Sequence, residues 1–139
     1  MKKNTPKVDL KKALSVAKKA QKNSHSPYSQ KKIGASVVLS NGAIVGGCNI
    51  ENASYGGTVC AERVAIWKAK SEFPKLKIDL ICVLSPGNPP WPPCGFCRQV
   101  MVEFCAPETK IICMNDTGQS QSFSLGELLP KHFSSKDLK

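Results

Sequence analysis

Three short segments of this chain concentrate residue types that do chemistry. They are Thr58-Val59-Cys60-Ala61-Glu62-Arg63, Pro93-Cys94-Gly95-Phe96-Cys97-Arg98-Gln99 and Gly47-Cys48-Asn49-Ile50-Glu51-Asn52. Pro93 suits the first turn of a helix, where its missing N–H leaves no bond unmade. Cys94 and Cys97, three residues apart, then share one side of that helix start. Cys60 falls in the opening turn of a second helix, just past a Thr58 cap. Helix N-termini carry partial positive charge and favour thiolates, so two such helices meeting end-on would bring three thiolates to one point.

Three thiolates suit zinc, whose softness and tetrahedral preference match sulfur. A structural zinc site normally closes with a fourth protein ligand, whereas a catalytic one leaves that position to water, whose pKa falls to about 7. No nearby motif supplies a fourth ligand, because the two histidines, His25 and His132, lie outside all three segments. Cys48, Cys82, Cys105 and Cys113 sit in or beside apolar runs and read as small buried hydrophobes. Glu62, two residues past Cys60, is placed to face the open position without binding metal, and a carboxylate there can move a proton from water to substrate. A lone Cys-x-x-Cys is a weak signal, but Cys-Ala-Glu followed about 30 residues later by Pro-Cys-x-x-Cys is a strong one.

The elements that must position these residues are legible in outline. Leu10, Ala13, Leu14, Ala17 and Ala20 recur at helical spacing. Residues 36–39 and 43–48 are short strand-like runs around Ser40-Asn41-Gly42, a hairpin signal. A helix follows from Thr58 to about residue 71, and Leu80 to Leu84 reads as a strand buried on both faces. Beyond a proline-rich loop come a helix over about 94–105, strands at 111–114 and 121–123, and a helical turn from Leu125 that Pro130 stops. Two strands, helix, strand, helix, strand implies an α/β layered fold around a mixed sheet.

Composition narrows the class. The chain has 139 residues, 41% hydrophobic and 22% charged, which predicts one ordinary globular domain over 1–139. Its longest apolar run, Leu80 to Leu84, is far too short to span a bilayer. No apolar stretch follows Met1-Lys2-Lys3 as a signal peptide requires, so the chain is read as cytoplasmic with reduced thiols. The net charge of +10 is uneven, with ten lysines against the single acid Asp9 in residues 1–32. A basic arm for nucleic acid is one reading; a solvated lysine face is preferred, because aromatics are missing before Tyr28 and arginine before Arg63.

With these residues in place, the chain resembles the small, homotetrameric type of cytidine deaminase over nearly its whole length. The resemblance rests on Ser26-Pro27-Tyr28-Ser29, Gly47 to Tyr55, Cys60-Ala61-Glu62-Arg63, Pro93 to Val100, Glu127 to Pro130 and Phe133-Ser134-Ser135, and on the Cys-x-Glu…Pro-Cys-x-x-Cys signature of zinc deaminases. It implies a three-layer α/β/α fold with a mixed five-stranded sheet. It also implies hydrolysis of cytidine and deoxycytidine to uridine and deoxyuridine with release of ammonia, in pyrimidine salvage. Cys60, Cys94 and Cys97 would hold one zinc per subunit, and Glu62 would shuttle protons. Asn49 and Glu51 would bond the ribose hydroxyls, and the Ala61 backbone would contact the base. Ala53, Tyr55 and Phe133 would come from neighbouring subunits, the last stacking on the pyrimidine. An ordinary loop role competes for Asn49 and Glu51, and fraying competes for Phe133.

Arg63 next to Glu62 would donate to the sulfurs and draw off the net negative charge of a three-thiolate zinc. One departure stands out: Lys31 occupies a position where many family members carry a phenylalanine beside the base. Gly56-Gly57-Thr58 is similar to the blasticidin-S deaminase branch, which leaves a modified cytosine nucleoside as a rival substrate. Two competing readings of the same residues are a non-catalytic zinc module that binds nucleic acid and a redox dithiol built on Cys94 and Cys97. The first needs a fourth ligand, and the second leaves Cys60 and Glu62 without a use.

Overall fold

The computed structural model describes residues 8–139; Lys2, Lys3 and Lys7 of the basic stretch, and the Met1-Lys2-Lys3 start, lie outside them. Helix α1 (Leu10–Gln21) is capped by the Asp9 carboxylate, which accepts from the Lys12 N–H at 3.0 Å. Strands β1 (Gly34–Leu39) and β2 (Ile44–Cys48) form an antiparallel hairpin whose turn uses Gly42 at φ 87°. Helix α2 (Ala61–Glu72), strand β3 (Ile78–Ser85), helix α3 (Gly95–Phe104) and strands β4 (Lys110–Asn115) and β5 (Ser120–Ser124) follow, then the short α4 (Leu125–Leu128).

The five strands form one sheet in the order β2-β1-β3-β4-β5, with β3 and β4 parallel and the other pairs antiparallel. Alternation along the strands divides the core in two. Ala35, Val37, Ile81, Val83, Ile111 and Cys113 face α2, α3 and α4, while Val38, Leu80 and Cys82 face Ala13 of α1. The result is the expected three-layer α/β/α arrangement around a mixed five-stranded sheet. Strand β3 is buried along nearly its whole length, as a central strand covered on both faces must be.

Two glycines let the helices come close to the sheet. A Cβ on Gly47 would stand 2.5 Å from the Ala65 nitrogen and 2.7 Å from the Ala61 carbonyl oxygen, so β2 receives the first turns of α2 only because residue 47 has no side chain. A Cβ on Gly46 would stand 2.9 Å from Cγ1 of Val16 in α1.

Two local expectations need correction. Thr58 does not cap α2; the cap position belongs to Cys60, which has no side-chain capping bond. The cause is upstream: the Thr58 hydroxyl accepts from the Asn52 N–H, and reciprocal Ile50–Val59 backbone bonds hold the chain extended up to Cys60. Likewise Pro93 stands before α3, with Cys94 extended at the cap, as the chain emerges from consecutive prolines.

Candidate active site

The C-terminal ends of β3 and β4, the start of β1 and the end of β2 lie at one end of the sheet. Open α/β sheets bind ligands at such an end. Helices α2 and α3 both begin there. Cys60 and Cys94 are their cap residues, and Cys97 lies in the first turn of α3. The three Sγ atoms lie within 4.8 Å of one another, with Cys60–Cys94 at 3.9 Å and Cys94–Cys97 at 3.5 Å. Among the described residues this is the one cluster of three or more ligand side chains, and no histidine, carboxylate or fourth cysteine joins it.

The donor set fits zinc on two grounds. Three convergent sulfurs match the metal's softness and leave one tetrahedral position free of protein. The local charge also favours thiolates, since both helix N-termini point at the cluster. Cys60 is held down at about 5, chiefly by the hydrogen bond from Cys97 and then by Arg63, while Cys97, which supplies that bond, is pushed up. Burial pushes Cys82 up to about 11 and Cys105 to about 12, against weaker opposing pulls from Ser36 and Lys70 respectively. Cys113 is likewise raised to about 12, with burial first among its causes. These three behave as the inert thiols expected of apolar strands and helix ends.

Arg63 reaches back over the first turn of α2. Its guanidinium stands 3.5 Å from the Cys60 sulfur and 3.4 Å from the Thr58 carbonyl oxygen, and its Cζ lies 4.1 Å from the centroid of the Phe96 ring. This is a planar cation stacked on an aromatic face and aimed at a thiolate.

Glu62 is only 4% exposed and lines a pocket of about 190 Å³ with Cys60, Cys94, Ala61 and Asn49. Burial pushes its carboxyl up to about 7, with the charge of Cys60 adding to the effect. A carboxyl in that range can both accept and return a proton near neutral pH. The pocket walls are completed by Ile33, Val83, Ser85, Trp91, Pro92 and Thr58.

The sequence-derived sugar residues already have work in the fold. Asn49 Oδ1 accepts from the Ser24 hydroxyl and from the Ile33 N–H at 2.9 Å, and its Nδ2 donates to the Lys31 carbonyl at 2.8 Å. Glu51 accepts from the Ser29 hydroxyl and from the N–H groups of Tyr28 and Ser29. Both side chains therefore hold the 24–33 loop against the site, which also accounts for the Ser-Pro-Tyr-Ser motif. Glu51 borders a second cleft, of about 380 Å³, with Tyr28, Ser29 and Tyr55.

Three expected substrate residues stand apart from the Glu62 pocket in a single chain. Tyr55 is 75% exposed, with its ring centroid 5.8 Å from that of Tyr28, and Ala53 lies in the exposed turn before it. Phe133 is 59% exposed, and its carbonyl accepts from Gln99 at 2.9 Å. Lys31 lines a separate cleft with Lys22 and Lys32, so the departure at that position puts no lysine among the pocket walls.

Sequence reasoning missed several residues. Trp91 lines the pocket although it lies in a loop that otherwise reads as a proline spacer; an aromatic three residues before Cys94 was its only signal. Arg98 ties the site's frame together, donating from Nε to the Pro93 carbonyl at 2.7 Å and from a terminal nitrogen to the Leu128 carbonyl at 2.8 Å. Nothing local distinguishes it from a surface arginine.

A buried carboxyl beside three convergent cysteine sulfurs, at the open end of a mixed sheet, is an arrangement that can hold a zinc ion and pass protons next to it. Residues 7–114 match the family model for the cytidine and deoxycytidylate deaminase zinc-binding region. A cytidine deaminase of Halalkalibacterium halodurans is 40% identical over 131 residues, which cover 94% of this chain and 98% of that protein. The crystal structure of a cytidine deaminase from Burkholderia pseudomallei superposes with a TM-score of 0.85 at 36% identity, covering 91% of this chain and all of that one. That of Mycobacterium tuberculosis gives a TM-score of 0.77 at 31% identity, covering 91% and 98%. The chain belongs to the cytidine and deoxycytidylate deaminase family.

Proposed function

We propose that the chain is a single deaminase domain over residues 1–139 that hydrolyses cytidine and deoxycytidine to uridine and deoxyuridine, releasing ammonia. The observation that carries this is the burial of Glu62 in the same small pocket as Cys60 and Cys94, in a chain 40% identical to a protein named cytidine deaminase. Cys60, Cys94 and Cys97 are the residues that hold zinc, which when bound lowers the pKa of water to about 7 and so supplies a nucleophile at neutral pH.

The remaining steps belong to the chain's own groups. Glu62 accepts the proton released by the attacking water and delivers it to N3 of the cytosine ring, making C4 electrophilic. From the tetrahedral C4 the same carboxyl takes the proton of the newly added hydroxyl and passes it to the exocyclic amino nitrogen, so that the C4–N bond breaks as the C4 carbonyl forms and ammonia leaves. Its burial in the same pocket as Cys60 and Cys94 keeps the carboxyl beside the groups it serves and away from bulk water. The Ala61 backbone contacts the base. Asn49 and Glu51 present acceptors and donors to the ribose hydroxyls, and their bonds to the 24–33 loop fix them in place beforehand. Arg63 offsets the negative charge of the sulfurs.

Two further parts of the reading have separate support. Ala53, Tyr55 and Phe133 lie outside the pocket of their own chain and serve a neighbouring copy, in a homotetramer with shared sites. Among the described residues no helix is long and apolar enough to cross a membrane. The seven free cysteines fit a reducing compartment such as the cytoplasm, and a role in pyrimidine salvage follows from the proposed substrates. Lysine on α1 serves solubility, not nucleic-acid binding.

The test is direct. Zinc-quantified protein is mixed with free nucleosides, and ammonia is followed together with the fall in cytidine absorbance. Cytidine turnover is expected, with Glu62→Gln losing at least the ~10²–10⁴-fold typical of general acid–base catalysis while zinc content stays the same. Near-normal turnover by Glu62→Gln refutes the assignment of Glu62.

A further inference from the structure

Trp91 is the single aromatic side chain among the residues that line the Glu62 pocket. At about 190 Å³ this pocket is smaller than the ~300–1,000 Å³ that encloses a drug-sized ligand. Its room is that of one small ring, and its aliphatic walls (Ile33, Val83, Pro92 and Ala61) offer no other aromatic face.

The indole is held there by the loop, not left to move. The backbone N–H of Trp91 donates to the Ser85 hydroxyl at 3.0 Å, which ties residue 91 to the last residue of β3. Prolines at 89, 90, 92 and 93 fix φ on either side. The indole lies against Gly87, where a Cβ would overlap its Cδ1 and Nε1. Gly87 is itself pinned, since its carbonyl accepts from Nδ2 of the buried Asn115 at 3.0 Å. Asn115 is the last residue of β4, so two neighbouring parallel strands anchor the loop that carries the aromatic. Trp91 lines the pocket and nevertheless remains 43% exposed, so it is not sealed into the core.

We infer that Trp91 is a specificity-determining residue of this enzyme: its indole is the aromatic surface on which the pyrimidine ring of the substrate rests, with Gly87, Ser85 and Asn115 as the residues that position it. The inference rests on the nucleoside-deaminase reading above and adds to it an aromatic contact to the base from within the chain's own pocket, beside the Ala61 backbone and the neighbour's Phe133. Such a contact exists in the bound ground state as much as in the transition state. It therefore belongs to binding, and its loss raises KM with little change in kcat.

Wild type, Trp91→Phe, Trp91→Ala and Gly87→Ala are compared for zinc content, then for kcat and KM with cytidine. The expected result is a KM rise of roughly 5- to 150-fold for Trp91→Ala, the range that base-on-aromatic stacking supplies. Trp91→Phe recovers most of the loss. Gly87→Ala, which displaces the indole without removing it, resembles Trp91→Ala, and zinc content is unchanged in all four. In a Trp67→Phe background, where Trp91 is the one remaining indole, emission shifts saturably on titration with uridine. A Trp91→Ala enzyme whose KM stays within about twofold of wild type, or an emission that ignores uridine, overturns the inference while leaving the deaminase intact. Absence of ammonia release by zinc-loaded wild type overturns the deaminase reading itself, and the uridine titration still decides whether Trp91 meets a pyrimidine.

Discussion

Arg63 shows how several demands fall on one side chain. Its guanidinium reaches the Cys60 sulfur and the Thr58 carbonyl while lying on Phe96, yet its Nε is buried without a partner. A buried donor left unpaired costs about 1–3 kcal/mol, and the attraction between a fixed cation and a thiolate cluster offsets it. Arg63→Ala is expected to weaken zinc binding about 10–100-fold in competition with a chromogenic chelator, the usual cost of losing an outer partner. Arg63→Lys recovers little, because an ammonium has no flat face for Phe96. Glu51 makes a different prediction. The Ser29 hydroxyl, helped by the Tyr28 and Ser29 N–H groups, holds its carboxyl below the ordinary 4.5. The folded form thus binds its proton less readily than the unfolded one, so this contribution to stability is complete at neutral pH and is lost as pH falls below about 4.5 through the lower folded value. Hydrogen-exchange protection at Tyr28 and Ser29 should fall in that window, and Glu51→Gln should remove the pH dependence. At this scale the sequence was informative where chemistry restricts the choice of residue, as at Cys60, Cys94, Cys97 and Glu62. It was silent on Trp91, whose place depends on the path of a loop and not on any pattern within it.

Elements converge on the site through their ends. Both helices that carry sulfurs begin with a cysteine in the cap position, and neither has a side-chain capping bond. Thr58 looked like the natural cap because threonine there is a good local signal. The Ile50–Val59 pairing, a contact between separate segments invisible to local propensity, delays the helix by two residues. Helix and strand order was readable because apolar spacing reports it directly. The sheet order β2-β1-β3-β4-β5 was not, since pairing partners leave little trace in one sequence. The depth at which α2 sits depends on Gly47. Gly47→Ala is expected to destabilise the protein by about 1–3 kcal/mol, read as a lower urea midpoint, because the new methyl group meets helix backbone that cannot move aside. Gly56→Ala, with nothing within 4 Å of its added Cβ, is the matching control and should leave the midpoint nearly unchanged.

The whole molecule separates its tasks by layer. One face of the sheet carries α2, α3 and α4 with the larger core and the site; the other carries α1 over a smaller cluster. Tyr55 and Phe133 are exposed, and neither lines the Glu62 pocket of its own chain. If Phe133 completes a neighbour's site, chains carrying Glu62→Gln and chains carrying Phe133→Ala should restore each other when refolded together, because a mixed pair contains one complete set. Activity no better than the average of the two parents would place Phe133 outside catalysis. The layering also governs how the protein responds to ionic strength. The lysines of α1 are on the side of the sheet away from Glu62, and a nucleoside carries no charge for them to attract. Salt should therefore strip adventitious polyanions from this outer helix while leaving turnover untouched, so a high-salt wash during purification cleans the enzyme at no cost to its catalysis.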